Sequence, residues 1–260
     1  MANQKFFIGP RPTIALALAV LACLPGVAAR ADQWDGWFIG VNAGAALADT
    51  SYHTGPDDRS WFHTQGYTAD MWNRDRYGDS RPSPVGGLSV AYNTQVDWFV
   101  FGGELGLNGL DADLGHTGTH RYTNNTHKYT IEQRAEASGL ATLRGRVGIA
   151  FDDSLLSLTG GLAATWLETG FDYRDDYTGM GQYHASNMKR QLKLGPTIGL
   201  AYEYMLPEDF VLKGEYSYVD LGRSTVSGLV IAGDGTKIAD MHSTSALSLN
   251  ILMIGIEKKF

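Results

Sequence analysis

The chain of 260 residues carries one cysteine, Cys23. It falls in an N-terminal segment that reads as a removable leader, so the mature chain has no thiol and can form no disulfide. After that leader no run of about eighteen apolar residues occurs, which excludes helical membrane spans. Positive charge is also scarce: 21 Lys and Arg stand against 28 Asp and Glu, a formal charge of −7, which argues against nucleic acid as a partner.

The leader itself is built from Lys5 and Arg11, an apolar run from Ile14 to Leu24, and a break at Pro25-Gly26. Ala29-Arg30-Ala31 then offers small residues at the two positions a signal peptidase reads, which places the cut before Asp32. Residues 1–31 are expected to leave, taking Lys5, Arg11 and Arg30 and bringing the formal charge from −7 to about −10. Val20-Leu21-Ala22-Cys23 also has some likeness to a lipoprotein cleavage site, although Leu21 fits it poorly.

What the chain has in abundance is glycine, 32 residues, and strict alternation. Trp37, Ile39, Val41, Ala43, Ala45 and Leu47 share one strand face, with Phe38, Gly40, Asn42, Gly44 and Ala46 on the other. The same apolar-against-small-or-polar pattern recurs around Gly86–Tyr92, Phe99–Leu107, Thr142–Phe151, Leu156–Trp166, Leu192–Tyr204 and Phe210–Tyr218, and a last segment, Thr244 to Phe260, makes eight. Three connections are short turns: Asn93 to Asp97, Asp152 to Ser154, and Leu206 to Asp209. The other four, roughly Asp49 to Ser83, Gly109 to Ser138, Thr169 to Arg190 and Gly222 to His242, are long and polar. An even strand number with short turns at one end and long loops at the other predicts an all-β fold. The expected architecture is an eight-stranded antiparallel up-and-down transmembrane β-barrel over residues 32–260, set in a bacterial outer membrane with its four long loops outside the cell. Trp37, Tyr92, Phe99, Phe151, Tyr204, Phe210 and Phe260 gather at the short-turn end, as an interfacial aromatic girdle would.

The faces opposite the apolar stripes carry Glu104, Arg144, Arg146, Lys193, Glu203, Lys213 and Glu215. Four positive and three negative side chains can neutralise one another inside a barrel whose eight strands leave room only for side chains. A salt-bridged filling is the favoured reading; a small passive channel for ions or solutes is the alternative. In the last segment Leu247, Leu249, Ile251 and Met253 alternate with residues that include Leu252 and Ile254, so both faces are apolar. Either a bulge or a locally apolar lumen would account for it.

Chemistry elsewhere is sparse. His242-Ser243 resembles a hydrolytic pair only in composition, because adjacent strand residues point to opposite faces. Asp111, Asp113, His116, His120 and His127 match no metal-ligand spacing. The first long segment mixes Asp57, Asp58, Asp70, Asp75 and Asp79 with Arg59, Arg74, Arg76 and Arg81, and adds Trp61, Phe62, Tyr67 and Trp72. It suits a solvated loop, or one that meets lipopolysaccharide, a host or a phage. No catalytic residue, metal or cofactor is expected.

Trp34 to Gly44, Leu143-Arg144-Gly145-Arg146-Val147-Gly148, Gly160 to Ala163, Lys213 to Gly222 and the terminal Gly255 to Phe260 stand in this order along the chain. Together they resemble one family, the small outer-membrane surface-antigen barrels of the porin-family or outer-membrane immunogenic type. The resemblance implies a stabilising or surface-exposed role among outer-membrane lipids and lipopolysaccharide. It also implies insertion by the barrel-assembly machinery through the C-terminal aromatic, Phe260, and for some members weak pore activity. Lys258 stands where the family usually has an aromatic.

Overall fold

The computed structural model describes residues 32–57, 60–64, 66–123, 126–176 and 182–260. The leader and cut site expected from the sequence, with Cys23, lie outside them. Eight antiparallel strands follow one another in chain order and close into a barrel. They are β1 (Gly36–Pro56), β2 (Arg76–Val96), β3 (Phe99–Arg121), β4 (Lys128–Phe151), β5 (Ser154–Asp175), β6 (His184–Met205), β7 (Phe210–Ile231) and β8 (Lys237–Lys259). Closure is made by β1 against β8, in unbroken register from Phe38↔Lys259 to Pro56↔Met241. The two ends of the described segment meet at the short-turn rim, where Lys259 Nζ donates to the carbonyls of Asp32 (3.0 Å) and Gln33 (2.8 Å). The turns there carry Asp97, Asp152, Glu208 and Asp209 at positive φ. Asp is one of the few side chains that tolerate this left-handed conformation.

Strands of 21 to 24 residues are about twice what a bilayer needs, roughly 9–11 residues. The segments expected as long loops are therefore mostly strand. The exposed apolar belt occupies the short-turn half, running from Trp37, Phe99, Tyr204 and Phe210 up to Leu47, Leu107, Trp166 and Leu192. Beyond it the strands continue into water. Two short helices, α1 (Trp61–Thr64) and α2 (Tyr67–Arg74), bridge β1 and β2. Phe62, Tyr67 and Met71 are buried against the inner faces of the projecting strands. Trp72 Nε1 donates to the Pro56 carbonyl (3.0 Å), and its ring lies edge-on to His53 at 4.3 Å.

The ring of strands is not continuous over its whole height. Pairing of β2 with β3 ends at Val85↔Leu110. Pairing of β6 with β7 breaks after Thr197↔Val219 and returns only at His184↔Ile231. These two interruptions lie on opposite sides of the eight-stranded ring. Above the belt the barrel therefore becomes two facing four-stranded sheets, β7-β8-β1-β2 and β3-β4-β5-β6. Side chains fasten the first seam: Arg81 donates to the carbonyls of Asp113 and Gly115, Asp79 accepts from the Gly115 amide (3.2 Å), and Tyr77 stacks on His116 at 3.6 Å. Across the second, Gln191 Nε2 donates to Ser224 Oγ and Asn187 Nδ2 to the Ser227 carbonyl, both at 2.5 Å.

Glycine matters most where strands carry long lumen side chains. Gly161 faces inward opposite Arg144, and a Cβ there would collide with the Leu143 carbonyl and come within 2.7 Å of Arg144 Cα. Gly160, next to it, faces outward with its nearest such neighbour at 3.9 Å. Gly161→Val is expected to cost about 2 kcal/mol or more through overpacking and backbone displacement. Gly160→Ala is expected to be tolerated. Urea unfolding of the detergent-folded protein, followed by loss of the fast-migrating unboiled gel band, measures both; equal midpoints for the two variants would contradict the packing account.

Candidate functional site: a buried charge ring in the lumen

The inner strand faces stack four layers between the two ends of the barrel. At the short-turn end Trp34 and Phe38 lie stacked, ring centroids 6.2 Å apart, within a cluster completed by Ala91, Val100, Ala150, Leu155 and Val211. The segment before β1 folds in as a cork, with the Trp34 amide donating to Gln95 Oε1 at 2.9 Å.

Above the cork sits the charged layer. Arg144 of β4 is at its centre, bonded to both Glu104 of β3 and Glu215 of β7, with a second bond to Glu215 Oε2 at 3.1 Å. Arg146 pairs with Glu203 of β6 and donates to Ser157 Oγ (3.2 Å). Lys213 of β7 reaches Glu104, Glu215 (3.2 Å) and Glu257 of β8 (3.4 Å). Ser89 closes the circuit by donating to Glu257 Oε1 at 3.2 Å. The pairs link β3, β4, β6, β7 and β8 across the lumen, and each ion is almost wholly removed from solvent.

The third layer is apolar. Leu247, Leu249, Ile251 and Met253 of β8 point inward among Ala46, Ala48, Leu110, Leu114, Leu140 and Leu167. Leu252 and Ile254 face outward on the belt. The doubly apolar last strand is thus a locally apolar lumen, with β8 and β1 in continuous register through it. The fourth layer is aromatic and polar. Tyr129 OH donates to Asp75 Oδ2 (3.0 Å), and Tyr122 and Tyr173 share a hydrogen bond beside Asp175. Burial, reinforced by Asp175, drives both of these phenols well above the usual tyrosine range.

Two residues depart from the sequence expectation. Lys193 is not in the ring. The β6–β7 break frees its side chain, and Nζ donates to the Arg223 carbonyl across the seam. Glu257 is in the ring, although its sequence position reads as part of the terminal motif. Its parity with Ile251 and Met253 is the signal that could have found it. The ring therefore holds three cations and four carboxylates. Phe260 lies exposed at the short-turn rim, its amide donating to the Trp37 carbonyl at 2.8 Å. Lys258 sits over the Phe210 ring at 4.6 Å, adding a cation–π contact to the girdle.

The other candidates are dispersed. His242 bonds Ser227 Oγ (2.8 Å) on the outer face, whereas Ser243 points inward to Thr54 Oγ1 (2.7 Å). His116 and His120 lie along β3 and engage Tyr77, while His127 pairs with Asp176 at 3.1 Å. Asp111 and Asp113 are exposed on β3. Among the described residues no group of three or more His, Cys, Asp or Glu is placed to hold a metal. In the first segment Asp75 is buried and Asp79 pairs with Arg81 at 3.0 Å. Asp58 and Arg59 lie outside the described residues.

Breaking a buried pair strands the remaining charge. Arg146→Met is expected to lower stability by about 3–5 kcal/mol by leaving Glu203 uncompensated, and Arg146→Met with Glu203→Leu is expected to recover much of it. Urea midpoints of the single and double variants decide this; equal loss in both would mean the arginine acts through packing alone.

The sequence matches the model of the outer membrane protein β-barrel domain over residues 14–250. The 31 kDa outer-membrane immunogenic proteins of Brucella melitensis and Brucella suis are each 26% identical over 254 residues, covering 95% of this chain and 94% of theirs. Among solved structures, the outer membrane protein OprG of Pseudomonas aeruginosa aligns with a TM-score of 0.43 and 15% identity, covering 87% of this chain and 96% of that one. The family model spans the barrel as far as Asn250 in β8, taking in the charged layer except Glu257. This chain belongs to the outer membrane β-barrel protein family, and its home is the bacterial outer membrane.

Proposed function

We propose that the protein is a non-catalytic wall component of the outer membrane, a closed barrel that anchors an ordered two-sheet platform outside the cell. The observation that carries this reading is the sealed lumen: a salt-bridged ring held between the Trp34 cork and the layer around Leu249. A continuous water path would have to breach two apolar layers and separate a network of buried ion pairs. The separation of His242 and Ser243 onto opposite faces supports the non-catalytic part of the reading. Its partners on this view are outer-membrane lipids and lipopolysaccharide around the belt and the barrel-assembly machinery acting on Phe260. Whatever the cell-surface face recognises would meet the strand tips and the α1–α2 bridge.

Planar-bilayer recording of the folded protein tests the closed lumen. No discrete conductance steps are expected from the unmutated chain, nor from Glu104→Gln with Arg144→Gln, since both apolar layers remain. Reproducible steps in the unmutated chain that change on Arg144→Gln would replace the wall reading with a channel. Deleting Phe260 is expected to cut the heat-modifiable outer-membrane fraction several-fold in cells while leaving detergent refolding intact. Normal insertion of the truncated chain would remove Phe260 as the assembly signal.

A further inference from the structure

The β6–β7 seam places on the outer surface cations that strand parity alone would have turned inward. Lys193 has the parity of Gly195, Thr197 and Glu203, all buried, yet its ammonium reaches out to the Arg223 carbonyl. Lys189, with the same parity, is exposed. On β7 a one-residue bulge between Asp220 and Arg223, with Gly222 at φ 65°, reverses the alternation, so that Leu221 and Ser224 are both buried and Arg223 faces outward. Arg190 faces outward directly, its guanidinium 5.7 Å from the centroid of Trp166.

These four cations line one stretch of the seam, Lys189, Arg190 and Lys193 along β6 and Arg223 across from Lys193. Leu192 and Leu194, in the same stretch of β6, belong to the exposed apolar belt, as does Trp166 on β5. The notch therefore sits where acyl chains end and headgroups begin. Every lysine and arginine of the lumen ring is ion-paired, and the opposite seam neutralises Arg81 with Asp79. Among the described residues none of Lys189, Arg190, Lys193 and Arg223 is ion-paired. Three carboxylates share the surface: Glu168 opposite Arg190, Glu136 opposite Glu168 on β4, and Asp220, which accepts the Gly222 amide at 2.9 Å. The patch keeps an excess of one positive charge on a chain whose net charge is −7.

We propose that this notch binds the phosphorylated headgroup of an outer-leaflet glycolipid of the lipid A type. A guanidinium fork with neighbouring ammoniums is the donor set that phosphate favours, and phosphates are the anions present at this depth of an outer leaflet. The ladder break widens the contact, because strand edges without ladder partners add main-chain donors beside the side chains. The inference deepens the wall-component reading by naming a lipid. Its test reads lipid retention, which is independent of whether the lumen conducts.

The experiment uses the folded mature chain in detergent, titrated with bis-phosphorylated lipid A and scored by native mass spectrometry. Controls are enzymatically dephosphorylated lipid A, phosphatidylglycerol and inorganic phosphate. Retention of the phosphorylated lipid is expected to be at least tenfold stronger than that of the dephosphorylated one. That preference is expected to vanish in Arg190→Gln with Lys193→Gln and Arg223→Gln, with unboiled gel mobility unchanged. Lys189→Gln with Arg190→Gln, which leaves the seam hydrogen bonds intact, gives the same reading at reduced size if the triple variant fails to fold. Equal retention by variant and unmutated chain, no preference for the phosphorylated lipid, or equal competition by phosphatidylglycerol or inorganic phosphate would each overturn the proposal.

Discussion

Hydrocarbon offers no partner to a peptide group, so a strand that crosses it must be paired on both edges. Water lifts that requirement. The barrel follows this boundary closely: its ring of pairs is complete through most of the apolar belt and opens on opposite sides as the strands leave it, at Val85↔Leu110 and Thr197↔Val219. A sheet closed into a ring of eight must curve tightly all round. Released along two lines, the outer half flattens into two sheets that face each other across a packed core. One chain thus uses barrel physics in lipid and sandwich physics in water.

The lumen obeys a related constraint. Inside so narrow a ring, charged side chains have little water to solvate them, and their cost is offset only by multiple, well-placed partners. Arg144 has two carboxylates, Lys213 three, and Arg146 two carboxylates and a hydroxyl. Because the pairs join strands distant in sequence, such as Glu104 with Lys213 and Ser89 with Glu257, the ring also opposes strand slippage: moving one strand by a residue would turn its ions to the lipid. The apolar layers on either side keep the ions from water.

Much of this was legible before any coordinates, because lipid imposes a sharp two-residue period. Strand number, order, inward and outward faces and six of the seven lumen charges follow from that period alone. It fails where the environment changes. Above the belt the outer faces meet water, so the stripe ends and Asp49 to Pro56 or Asp111 to Arg121 read as loop although they are strand. On β4 and β7 the alternation is reversed by bulges at Gly139 and Gly222, both at positive φ, which is where the pattern stops being readable as one strand. Lys193 was misplaced for a different reason: parity assumes an unbroken ladder on both sides, and β6 has lost one.

The seam at β6 and β7 follows from the same boundary, but it begins lower than its counterpart. Leu192 and Leu194 still face lipid where the ladder has already parted, so main-chain groups there lie at the edge of the membrane without their usual partners. Side chains supply part of the answer: Lys193 serves the Arg223 carbonyl, and Gln191 and Asn187 reach Ser224 and the Ser227 carbonyl. All three donors come from β6, and all three are satisfied by acceptors on β7 or its side chains. The leaflet anion proposed above would supply acceptors there and meet Arg190, Lys189 and Arg223. The opposite seam needs no such visitor, because Asp79 provides an acceptor for the Gly115 amide and a partner for Arg81 within the chain itself.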